Sequence, residues 1–189
     1  MSAEEPGRPR RGISIFRAED ATPILETDFM GMPTMPDEAV AAGGPQIYMD
    51  SAPGTDVRVV VRQKPEEGGF SILRVWFKAD YPVLRHTHDA DCLYYIVAGS
   101  AILGSQTLRP GDGFFIPAGA PYSYDAGPEG VELLEIRQSV WQFDINMLEA
   151  SAGKWAAMAD TIASHREAWE ADAVSPTLAA NRAADAPVG

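Results

Sequence analysis

The stretch VLRHTHDADCLYYIVAG, Val83 to Gly99, decides how this chain is read. Val, Leu, Tyr and Ile dominate its two ends, as they do in strands. The run Asp89-Ala90-Asp91 between them reads as a tight turn. Successive side chains on a strand alternate faces, so His86 and His88 project together. Two imidazoles on one face can share a metal ion at about 2.0–2.1 Å from each nitrogen. A hairpin brings Cys92 back beside them. The chain has 3 histidines, and this pair uses two of them.

Outward from this stretch the pattern is short β runs between turns. VRVVVRQ (57–63), the turn KPEEGG and FSILRVWFK (70–78) precede it. SAILG, QTLRP, FFIP (114–117), PYSYD and VELLEIRQ (131–138) follow. Many closely spaced strands predict an all-β sandwich, jelly roll or barrel over 56–143. Residues 1–55 read as a turn-rich arm, with GISIF (12–16) and QIYM (46–49) as its short strands. Within 144–173, Ser151 is a plausible N-cap for a helix from about Lys154 to Ala171. Trp155, Met158, Ile162, His165 and Trp169 form its apolar stripe, fit for a barrel flank or a dimer seam. Residues 174–189, Ala-rich with Pro176 and Pro187, are expected to be disordered.

Composition narrows the partners. Apolar residues make up 46% and charged ones 22%, the balance of a globular protein. Against 27 Asp and Glu stand 15 Lys and Arg, a net charge of −12 that a phosphate backbone would repel. The cluster Arg8, Arg10, Arg11 reads as a solvated tail. No stretch approaches the about 18 apolar residues of a membrane span, and the N-terminus lacks the apolar core of a signal peptide. One cysteine permits no intrachain disulfide, so a reducing, cytoplasmic setting is expected.

Two spacings resemble the cupin family. Its first motif reads here as His86, His88, three residues, Cys92, six residues, Gly99. Its second reads as Gly111, five residues (DGFFI), Pro117-Ala118-Gly119, two residues, Tyr122. The resemblance covers about residues 56–140 and implies a double-stranded β-helix, or jelly-roll barrel, with an N-terminal arm and a C-terminal α-helix. It also implies a divalent metal ion (Fe, Zn, Cu, Mn or Ni) bound in the barrel. Two departures stand out: Cys92 occupies the place of the family's ligand Glu, and Tyr122 that of its third His. Cys92 reads either as a thiolate ligand or as a small buried hydrophobe. Tyr122 is a candidate ligand and a candidate catalytic acid or base. His165, the remaining histidine, reads as a surface or seam residue.

The pocket follows by parity. An inward Cys92 brings Tyr94 and Ile96 inward, and an inward Tyr122 brings Tyr124. The three phenols suit an aromatic or polyol-like ligand, or simply pack the barrel. Arg74 and Trp76 share a face of their strand, and an inward Arg74 requires an anionic ligand or a carboxylate such as Glu132 or Glu135. Those two glutamates face opposite sides, and parity leaves open which is inside. The leading expectation is a metal-dependent enzyme on a small organic molecule. Family resemblance offers dioxygenases, isomerases, cyclases and lyases, with oxygen chemistry on an aromatic or oxygenated substrate first. A non-catalytic small-molecule-binding cupin and a metal-free isomerase or lyase are the alternatives. A homodimer is expected, paired through the arm and the helix stripe.

Overall fold

The computed structural model describes residues 12–184, apart from the Glu67 side chain. The basic cluster at 8–11 and residues 185–189 lie outside the described residues. Among the described residues nine strands form one antiparallel sheet: β1 (Thr22–Pro23), β2 (Thr55–Arg62), β3 (Phe70–Phe77), β4 (Pro82–Thr87), β5 (Cys92–Leu103), β6 (Gln106–Leu108), β7 (Gly113–Ile116), β8 (Tyr122–Gln138) and β9 (Asn146–Met147). The β segments expected either side of Gly99, and either side of Gly130, are each one long strand.

Those two strands, β5 and β8, make the sheet curl. Early β5 pairs with β7 on one side and late β8 on the other, and late β8 continues to β3, β2 and β1. Late β5 pairs with β6 and early β8, which continues to β4 and β9. Each long strand thus bends out of one half and into the other, and the result is a jelly-roll half-barrel. The bend falls where the register shifts, between Ile96 and Ala101. Gly99 and Gly130 meet there with φ of 69° and 78°. A Cβ on Gly99 would lie 2.1 Å from the Gly130 carbonyl oxygen. Only glycine satisfies both the positive φ and the contact.

The arm departs from its expected strands. GISIF forms no strand, and Ile13 and Ile15 are exposed. QIYM is helical, within α2 (Gly44–Asp50), which follows α1 (Asp37–Ala41). Gly43 at φ 81° breaks the chain between the two helices, and Pro45 opens the second. Gly44 must lack a side chain, because a Cβ would sit 2.8 Å from the Ala39 carbonyl oxygen and 3.1 Å from the Trp155 ring.

Helix α3 (Ala152–Ala171) begins where Ser151 accepts a hydrogen bond from the Lys154 amide. Its buried face is Trp155, Met158, Ile162 and Trp169, packed on α1, α2 and the turn at 52–54. Trp169 lies 5.6 Å from the Tyr81 ring and donates to the Ala79 carbonyl at 3.0 Å. The segment expected to be disordered instead contains α4 (Pro176–Ala184). Its start docks on the outer face of β3 and β8 through Ser175 and Thr177. No described helix is long and apolar enough to cross a membrane.

Candidate functional site

The site lies between the two halves of the sheet. β4 turns Leu84 and His86 inward, and His88 follows one residue past its end. The register sets His86 opposite Tyr122, and Tyr94 between Glu135 and Phe114. Cys92, Tyr94, Tyr122, Tyr124, Glu135 and Arg137 join the histidines in this interior, all of them buried. The phenols pack with Phe114, whose ring stacks on Tyr94 at 4.6 Å.

Proton accounting fixes the tautomers. His86 Nδ1 lies 2.7 Å from the Leu84 carbonyl oxygen, and His88 Nδ1 lies 2.7 Å from that of Asp144. A carbonyl only accepts, so each Nδ1 carries the proton. Burial pushes both histidines down to about 4, aided at His86 by its neighbour His88 and at His88 by Arg137. Both rings are therefore neutral near pH 7, with a lone pair on each Nε2. Tyr122 donates its hydroxyl to His86 Nε2 at 2.8 Å. With that proton engaged, the Tyr94 hydroxyl must donate to the Tyr122 oxygen. The two histidine rings stand 5.0 Å apart, nearly perpendicular.

The remaining groups are set by burial and one cation. Burial, then the Glu135 charge, pushes the Cys92 thiol up to about 12, so it stays protonated. Burial likewise raises the phenols of Tyr94, Tyr122 and Tyr124. Burial raises the Glu135 carboxyl, and the adjacent Arg137 guanidinium partly offsets this. Arg137 Nη2 donates to Glu135 and lies 3.6 Å from Cys92 Sγ.

Two expected site residues lie elsewhere. Arg74 and Trp76 occupy the opposite face of β3, beneath the start of α4. Arg74 bonds Glu132 at 3.3 Å and Asp56 at 3.2 Å, and also Ser175. Their position corrects the expected substrate-binding role. It also settles the glutamates: Glu132 is on the outer face with Arg74, and Glu135 is inside. His165 stacks on Trp169 at 5.5 Å, with Nε2 3.3 Å from Asp80, away from the barrel interior.

A metal ion finds half a site. Each Nδ1–H is tied to a carbonyl, the arrangement that orients metal-ligating histidines. The Tyr122 oxygen is close enough to His86 Nε2 for both to reach one ion. Yet no three of His, Cys, Asp and Glu among the described residues are grouped to hold a metal. Cys92 is buried on the same interior, beside Arg137. Its thiol faces the Arg137 guanidinium at 3.6 Å and stays protonated in the metal-free protein.

Arg137 had no signal of its own in the sequence. It became readable only once Glu135, two residues earlier, was known to point inward. Phe29 and Phe143, whose rings meet edge-on at 5.2 Å, carry no local sequence signal either. They close the interior where the arm crosses it. The Phe143 amide bonds the Phe29 carbonyl at 3.1 Å, and the Thr34 amide bonds that of Ile145 at 3.0 Å.

No family model and no curated protein matches the chain. Solved structures similar to it include KdgF from Halomonas sp., at 20% identity and a TM-score of 0.42, covering 47% of this chain and 81% of that one. An RmlC-like cupin from Shewanella frigidimarina matches at 18% identity and a TM-score of 0.41, over 47% and 78% of the two chains. The polyketide cyclase RemF from Streptomyces resistomycificus matches at 19% identity and 0.42, over 52% and 73%.

Proposed function

We propose that this chain is a small-molecule cupin enzyme whose working groups are His86, His88 and Tyr122, and that these three hold a divalent metal ion. The observation that carries the reading is the pair of neutral imidazoles, each with Nδ1–H fixed on a carbonyl at 2.7 Å and its Nε2 lone pair turned to the interior, where that of His86 meets the Tyr122 oxygen at 2.8 Å. A bound ion would supply Lewis-acid polarisation of a substrate oxygen. The chain supplies the rest. Tyr122 exchanges a proton with that oxygen, Tyr94 supports the Tyr122 oxygen by hydrogen bonding, and Phe29 and Phe143 exclude water. Within this proposal oxygen chemistry on an aromatic or oxygenated substrate is the first activity to assay. Two copies pair through the arm, where Ile13, Ile15 and Phe16 are exposed.

The test is metal stoichiometry after incubation with Fe²⁺, Zn²⁺, Mn²⁺, Ni²⁺ or Cu²⁺ and desalting. About one ion per chain is expected for at least one metal, and none in His86→Ala or His88→Ala. Wild-type protein that stays empty with all five rejects the metal reading.

A second reading is favoured by the same 2.8 Å contact taken as a hydrogen bond. Tyr122 and His86 then form a proton couple that acts without a metal, beside a guanidinium that opposes a second cation. Tyr122→Phe would remove this couple and leave both imidazoles in place.

A further inference from the structure

Arg137 is 2% exposed, and the chain leaves it under-satisfied. Nη2 serves Glu135 and faces Cys92, while Nε and Nη1 are buried with no partner among the described residues. One face of the guanidinium rests on Phe143, 4.0 Å from the ring centroid. Its N–H donors radiate in the plane of the fork, so the edges are where a partner must come. Buried polar groups without partners are rare in native proteins, and a guanidinium cannot shed its charge to escape the cost. The charge also reaches the working groups, since it acts on His88 and Tyr122.

The geometry points to a small carboxylate as the ligand of this interior, its oxygens taking the Arg137 N–H groups that Glu135 leaves unpaired and its carbon skeleton lying toward Tyr122 and His86. A planar carboxylate matches the planar fork. Glu135 already offsets the guanidinium, so a ligand of one negative charge is the least opposed anion, and a multiply charged one would be opposed both there and by the net charge of −12. This inference rests on the reading that the barrel interior is the working site, and it does not require a metal there.

The experiment uses EDTA-treated protein, so that no carboxylate can be held by a metal. Acetate, pyruvate and benzoate are titrated by calorimetry beside their neutral counterparts acetamide, pyruvamide and benzamide. At least one carboxylate is expected to bind at least about tenfold more tightly than its amide. Arg137→Gln should weaken that carboxylate by about tenfold or more. Glu135→Gln, which removes the competing anion, should strengthen it. If Arg137→Gln does not fold, Arg137→Lys keeps the charge but loses the fork, and should still bind several-fold more weakly. The inference is overturned if no carboxylate binds the wild type, if amides bind equally, or if the Arg137 variants bind as tightly as the wild type. Metal stoichiometry on the same preparation, without EDTA, reports on the metal separately.

Discussion

The two faces of the β3–β8 ribbon each bury an arginine beside a glutamate, and they treat the pair in opposite ways. On the outer face Arg74 reaches Glu132, Asp56 and Ser175, and Glu132 also accepts the Thr177 amide at 2.7 Å. These bonds join β2, β3, β8 and the start of α4. On the inner face Arg137 bonds Glu135, a neighbour on its own strand, and keeps two nitrogens unpartnered. Arg74 leaves only its Nε without a partner among the described residues, so the same chemistry fastens distant elements together on one face and keeps two nitrogens unpaired on the other.

The largest effect should come from breaking the fastener. Arg74→Met strands Glu132 without its cation and cuts three tertiary links, at an expected cost of about 3–5 kcal/mol by urea unfolding. Arg137→Gln should cost less, because its links to distant elements are only the 3.6 Å contact with Cys92 Sγ and the Phe143 ring, and Glu135 can take up a proton. Equal losses for the two variants would erase the contrast.

Acid should act through the inner face. Both interior histidines are depressed to about 4 from 6.5. Between those values the unfolded chain binds protons that the folded one refuses, so stability falls as pH drops through that window and levels off below it. Glu135, whose carboxyl is raised from 4.5, acts in the opposite sense and trims the effect. A loss of about a few kcal/mol is expected between pH 7 and 4. His86→Gln should make that slope shallower in urea titrations at several pH values.

Ending the chain at Val174 removes the Ser175 and Thr177 partners of Arg74 and Glu132. The outer pair then resembles the inner one, at an expected cost of about 1–3 kcal/mol. A truncated protein with unchanged melting would show that α4 fastens nothing. The smallest effect belongs to Tyr122→Phe, which removes two hydrogen bonds, one to His86 and one from Tyr94, at about 1–2 kcal/mol together. Its use is diagnostic, since a lost metal ligand lowers metal stoichiometry, whereas a lost proton couple leaves stoichiometry unchanged.

Much of this was legible in the sequence, and the failures have physical causes. The strands around HTH, the helix opened by Ser151 and the buried indoles of α3 all followed from local pattern. Parity failed on β3 because both faces are covered: Leu73, Val75 and Trp76 are all buried, so alternation carried no signal. It failed on β8 for a different reason. Tyr122 and Tyr124 face inward at even positions, and Leu133 and Glu135 do so at odd ones, because the register slips beside Gly130. A bulge resets which residues face in, and sequence alone does not count its extra residue. QIYM has the β-rich composition of a strand, but Gly43 and Pro45 set a helix start there.

The shared strands have a consequence for how the molecule comes apart. β5 and β8 belong to both halves of the half-barrel, and their pairing joins residues from Leu93–Ile102 to residues from Asp125–Ile136. Neither half can fold alone, because each borrows half of a strand from the other. Loss of structure should therefore be a single cooperative event, with fluorescence of the indoles in α3 and the far-ultraviolet signal of the sheet vanishing together. Contacts this distant along the chain also slow the search for the native state, so refolding belongs in the millisecond-to-second range of non-local β topologies.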